Sequence, residues 1–162
     1  MTAYIASFNT SLATASGATT WLSVTANNFE LKLVQAEISI ANIYFSSTGG
    51  SVIAGAKVYR YDGGTASGGS ALTPAPLRQG GPAATATARS GGVSFSGTQR
   101  VITQQTSGIP AAITYAPPFD LTVSPGSSLV LSLACPSNQP SVTFTGCYLA
   151  LHFEELRLSW HY

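Results

Sequence analysis

Acids, imidazoles and thiols are scarce in this chain, and their spacing limits its chemistry. The carboxylates are Glu30, Glu37, Asp62, Asp120, Glu154 and Glu155; the imidazoles are His152 and His161; the thiols are Cys135 and Cys147. A metal centre needs three or four such ligands drawn together. His152 has the opposite strand parity to Leu151 and Phe153, and His161 lies in the last segment. No metal site is expected. The cysteines form no CxxC pair. A hairpin of 129–135 with 141–153 would set Cys135 opposite position 142, so a mutual disulfide is not implied and two buried thiols are expected.

Glu154-Glu155 is the one adjacent carboxylate pair. Two carboxylates serve acid–base catalysis when they converge, but neighbours along a strand point to opposite faces. The pair is therefore expected to be a charged strand end that limits edge pairing. An intersubunit salt bridge to Arg60, Arg78, Arg89 or Arg100 is the alternative. No GxSxG nucleophile motif occurs, and Gly92-Val93-Ser94-Phe95-Ser96-Gly97 misses its spacing. The glycine clusters at 63–69 and 80–92 follow neither GxGxxG nor GxxxxGK[ST]. No helix follows them to receive a phosphate. They read as flexible loops, and no cofactor is expected. The aromatics Trp21, Tyr59, Tyr61, Tyr115, Tyr148 and Trp160 are dispersed, which favours core or interface packing over a glycan platform. With no acid, base, nucleophile or metal set to assemble, an enzyme is not expected.

The same scarcity shapes the surface. Charged residues make up 8% of the chain, with a net charge of +1, against about 25% in ordinary soluble domains. Surface charge is what keeps a lone domain dispersed. A skin of Ser, Thr, Gly, Ala, Asn and Gln is suited to being covered by neighbours. The near-zero charge offers no electrostatic basis for binding nucleic acid or a membrane surface. The start, Met1-Thr2-Ala3-Tyr4, has no basic and apolar signal-peptide pattern. No window of about 18 apolar residues suggests a membrane helix.

The elements that must carry these residues follow a period of two almost throughout. Tyr4–Phe8 reads as a first strand or arm. Strands are expected from Trp21, over 29–45, over 52–61, in short pieces at 93–95 and 99–104, then at 109–115, 119–123, 128–134 and 142–153. Apolar parity flips between Leu31/Leu33 and Ala36/Ile38/Ile40, so a β-bulge is expected at Val34-Gln35. Pro74 and Pro76 bar the segment 68–78 from a central strand and make it an edge segment crossing the end of a sandwich. Residues 79–92 read as loop. Roughly eight to ten strands with frequent turns make the fold all-β, an antiparallel β-sandwich of jelly-roll type with extended N- and C-terminal segments. The organisation expected is an arm or edge strand over 1–19, a sandwich over 20–155, and an interaction arm over 156–162. In that arm Leu156, Leu158, Trp160 and Tyr162 alternate with Arg157, Ser159 and His161, a pattern suited to strand addition on a neighbour.

Three features carry a resemblance. Gly68-Gly69-Ser70-Ala71-Leu72-Thr73-Pro74-Ala75-Pro76-Leu77 is close to a GGTALTP-type segment, the last strand ends Phe153-Glu154-Glu155, and Ala, Thr, Gly and Ser dominate throughout. In these the chain resembles the small β-rich virion proteins of tailed bacteriophages, in particular capsid decoration (cement) and head-fibre-like proteins. The resemblance implies assembly in the host cytoplasm and a place on the capsid surface. It implies binding to the major capsid protein and self-association, commonly as a homotrimer, with no catalytic residues. The interface residues expected are Leu156, Leu158, Trp160, Tyr162 and Arg78. The alternatives are a tail, neck or fibre component, or a receptor- or glycan-binding module.

Overall fold

Alternating apolar residues need a partner sheet to face, and the chain supplies two. The structure, a computed structural model, describes residues 2–14, 19–45, 53–108, 111–134 and 142–157. These form twelve strands: β1 (Thr2–Thr14), β2 (Thr19–Thr25), β3 (Glu30–Phe45), β4 (Ile53–Asp62), β5 (Ala66–Leu72), β6 (Ala75–Pro76), β7 (Thr87–Phe95), β8 (Thr98–Gly108), β9 (Ala111–Tyr115), β10 (Leu121–Val123), β11 (Ser128–Ala134) and β12 (Val142–Leu156). Among the described residues there is no helix, and so none long and apolar enough to cross a membrane.

All pairings are antiparallel. The first sheet has the order β10-β3-β12-β1-β6, with β9 also on β3; the second has β5-β7-β2-β11-β4-β8. Their inner faces share one core that includes Leu22, Val24, Leu31, Ile38, Leu129, Leu131, Leu149, Leu151 and Phe153. The architecture is a β-sandwich, as the period of two requires.

The parity flip in β3 has its structural counterpart. His152 pairs with Gln35 and Phe153 with Leu33, which leaves Val34 as the extra residue. The bulge lets Leu31 and Leu33 on one side, and Ala36, Ile38 and Ile40 on the other, all face the core. Val34 itself is pushed outward.

Two expectations need adjustment and two open ones resolve. The hairpin of 129–135 with 141–153 does not form: β11 lies in the second sheet and β12 in the first. Cys147 instead lies in register with Thr10 and Ile40 and is buried; Cys135 falls outside the described residues. Residues 87–92, read as loop, belong to β7, because Ala88 and Ser90 are small enough to be buried beside β2. The segment after Asp62 runs as β5 on the edge of the second sheet and then as β6 on the first. It thus crosses between sheets at one flank. Finally, Thr2–Thr14 is a full strand along β12, with Tyr4 buried and its ring stacked 5.6 Å from that of Phe153.

Candidate interaction surfaces

Arg78 and Leu156, expected at an interface, come to the same end of the first sheet. Leu156 pairs with Glu30 of β3, and beside it Glu155 pairs with Thr2 of β1. On the other side of β1, the Leu77 amide donates to the Ala3 carbonyl (3.0 Å). Arg78 follows, exposed and without an ion pair among the described residues. It lines an open groove of about 610 Å³ with Thr2, Ala3, Leu77 and the turn through Pro82. Leu156 is half-buried. Leu158, Trp160 and Tyr162 lie outside the described residues.

The Glu154-Glu155 pair splits, as strand alternation demands, but its inner member is no strand-end guard. Glu155 is fully buried. Its Oε1 accepts from the Thr85 amide (2.6 Å), the Thr85 hydroxyl (2.9 Å) and the Ala86 amide (2.9 Å). Its Oε2 accepts from Arg157 Nη2 (3.2 Å). Burial, the largest single influence, pushes the carboxyl pKa up; the donors from Ala86, Thr85 and Arg157 together outweigh it and hold the pKa below its ordinary value. A buried carboxylate is tolerable only with such a full set of donors. Arg157 also reaches the Tyr4 hydroxyl (3.3 Å) and sits 5.1 Å over the Phe29 ring. For Glu155 the ion pair is therefore internal, to Arg157 and not to Arg60, Arg78, Arg89 or Arg100. No local pattern in the sequence announces it, because Thr85 and Ala86 are remote along the chain.

Of the aromatics dispersed along the sequence, Trp21, Tyr59 and Tyr61 pack together with Phe95. On the far side of the second sheet from the core, Trp21 lies 5.7 Å from both Tyr59 and Phe95, Tyr59 lies 6.3 Å from Tyr61, and Tyr61 stacks on Phe95 at 4.5 Å. They surround Val130, which is fully buried. The rings close on one another, with Tyr59 and Tyr61 both buried. Burial pushes the Tyr61 hydroxyl pKa up, with Tyr59 adding to the effect. The sequence did hold a signal: Trp21, Tyr59 and Tyr61 have the parity opposite to the core residues Leu22, Val24 and Val58.

The remaining charges are also mostly paired. Asp62 bridges Arg60 (2.6 Å) and Arg100 (2.8 Å). The Arg100 hydrogen bond chiefly holds its carboxyl below the usual range. Lys32 pairs with Asp120 at 2.7 Å, and that bond raises the lysine. His152 Nε2 lies 3.5 Å from Glu37 Oε2, and Gln35 donates to Glu37 Oε1. Among the described residues no three His, Cys, Asp or Glu side chains converge on a metal-sized site.

The most exposed large apolar side chain among the described residues is Phe119, at 85%. It projects from Pro117-Pro118-Phe119-Asp120, beside the Val34 bulge and Glu154. Compared with known protein families and with curated proteins, the chain matches no family model and no curated relative.

Proposed function

We propose that the chain is a structural virion protein, a capsid decoration (cement) protein. In this reading it binds the lattice of the major capsid protein from outside and stabilises the head. The observation that carries the reading is where the charges go. Lys32, Asp120, Arg60, Asp62, Arg100, Glu155 and Arg157 are more than half of the charged residues, and all are tied in ion pairs within the fold. The surface left over is neutral and polar. Covering such a surface avoids the desolvation of unpaired charge. A free monomer with the same surface lacks the usual protection against association.

The strand order supports a jelly roll. β1, β2, β3 and β4 alternate between the sheets; β12 sits between β1 and β3, and β11 between β2 and β4. With β8 beside β4 and β9 beside β3, this matches the double Greek key, and β5–β7 is an insertion on one flank. Jelly rolls build viral capsids, among other roles, and fold alone does not fix function. Self-association as a homotrimer, assembly in the host cytoplasm and the absence of a cofactor belong to the same reading.

Cryo-EM of the native particle, with the chain located and its copies counted, tests this. Hundreds of copies over the head lattice are expected. A handful at the portal, a vertex or the tail would replace the reading with a tail, neck or fibre component. Absence from the particle would overturn both.

A further inference from the structure

Large apolar side chains are exposed at four positions among the described residues: Val34, Leu77, Val101 and Phe119. Three of the four lie in two patches of the first sheet. Val34 and Phe119 share a recess with Pro117, Pro118 and Glu154, and Leu77 belongs to the Arg78 groove. The registers relate the two patches. Thr122, Lys32, Glu154 and Ala3 form one row across β10, β3, β12 and β1. Phe119 precedes Thr122 by three residues on one flank, and the Leu77 amide is bonded to the Ala3 carbonyl on the other. Knob and groove thus stand at the same end of one sheet, on its opposite flanks.

Both patches are shaped before anything docks. Proline fixes φ, so Pro117-Pro118 presents Phe119 with little chain freedom left to lose on binding. In the groove, the Gly81 amide donates to the Arg78 carbonyl (3.0 Å) and closes the turn. The space it borders, about 610 Å³, has room for a phenyl ring. The charges are complementary as well. Lys32, Asp120 and Glu154 line the recess around Phe119. Lys32 is taken by Asp120, and Glu154 has no ion pair, so the recess keeps one negative charge. The groove keeps one positive charge, that of Arg78.

We infer that Phe119 of one copy of this chain enters the Arg78 groove of a second copy, its ring resting on Leu77 and against the Arg78 guanidinium. An aromatic face attracts a guanidinium, and covering an exposed phenyl and an exposed leucine together removes apolar surface from water. No strand is added. Pro76 and Leu77, which already cover β1 at this level, form a wall of the contact. Each copy carries one knob and one groove on opposite flanks, so the contact is head-to-tail. Repetition with rotation closes a ring in which every copy makes two contacts, and without closure it extends a filament.

The inference rests on the reading of the chain as an assembly subunit, but its test needs no particle. Sedimentation of the full chain is expected to show concentration-dependent self-association. Phe119→Ala and Arg78→Glu change exposed side chains, and circular dichroism with thermal unfolding confirms that each variant is folded. Each alone is expected to weaken association at least about tenfold. Mixed in equal amounts they are expected to form heterodimers, because the first keeps its groove and the second its knob. A wild-type chain that stays monomeric at about 100 μM overturns the inference. Variants that associate unchanged overturn it too, as does a mixture no more associated than either variant alone. A monomeric wild type whose Phe119→Ala variant no longer binds particles would assign the knob to a capsid protein rather than to a second copy. A chain that associates through knob and groove yet is absent from particles leaves the contact standing and removes the cement reading.

Discussion

Glu155 shows how one side chain joins distant parts of the chain. It fixes Thr85 and Ala86, and through Arg157 it reaches Tyr4 and Phe29. Glu155→Gln keeps the shape but removes the charge from several donors. We expect a loss of about 2–4 kcal/mol, read from urea unfolding at neutral pH. The same carboxylate sets a pH dependence. Its pKa in the fold lies below the ordinary value. The stability it contributes is therefore full above about pH 4.3, the ordinary glutamate pKa, and is lost as pH falls through the lower folded value. Unfolding curves between about pH 6 and pH 2 should show a steeper acid loss in wild type than in Glu155→Gln. Equal slopes would mean that Glu155 is not held this way. The sequence placed the two glutamates on opposite faces by alternation alone. It held no trace of the donors, which the fold brings in from the loop before β7.

At the scale of elements, β7 completes the outer aromatic cluster. β7 leaves β2 at Gly91, whose φ of +86° suits glycine, and carries Phe95 against Tyr61 and Trp21. Phe95→Ala should cost about 2–4 kcal/mol, measured by thermal or urea unfolding. A change under about 0.5 kcal/mol, typical of an open surface site, would show that the cluster contributes little. The turn into β5 is tighter still. A Cβ on Gly64 would sit 1.6 Å from the Ser96 carbonyl oxygen, whereas one on Gly92 would meet nothing within 4 Å. Gly64→Ala should therefore lose several kcal/mol or fail to fold, and Gly92→Ala should stay close to wild type. Equal effects would contradict the packing of Gly64 against Ser96. The bulge at Val34 was legible because a shift of one residue inverts a strand's faces, and Leu33 and Ala36 record that inversion. The strand at 87–92 was not, because a run of small residues reads as loop until neighbouring strands bury it.

For the molecule as a whole, low charge has two consequences. Inside the fold, most ionised groups find partners. Outside it, a neutral surface remains, the reverse of what keeps a monomer apart. Counting copies on purified particles tests the proposed role in a virion.

The sequence by itself determined the fold class, the location of most strands and the bulge in β3. These are local consequences of alternating side chains: a strand with one apolar face must bury it, and the period of two records which residues do so. It also determined that few groups were present for acid–base or metal chemistry, since composition needs no geometry. Only the tertiary structure decided that β11 and β12 belong to different sheets. It alone brought Thr85 to Glu155 and gathered Trp21, Tyr59, Tyr61 and Phe95. The physical reason is sequence separation: such contacts arise from how strands order themselves across two sheets, and an alternating pattern is silent on which neighbour a strand takes.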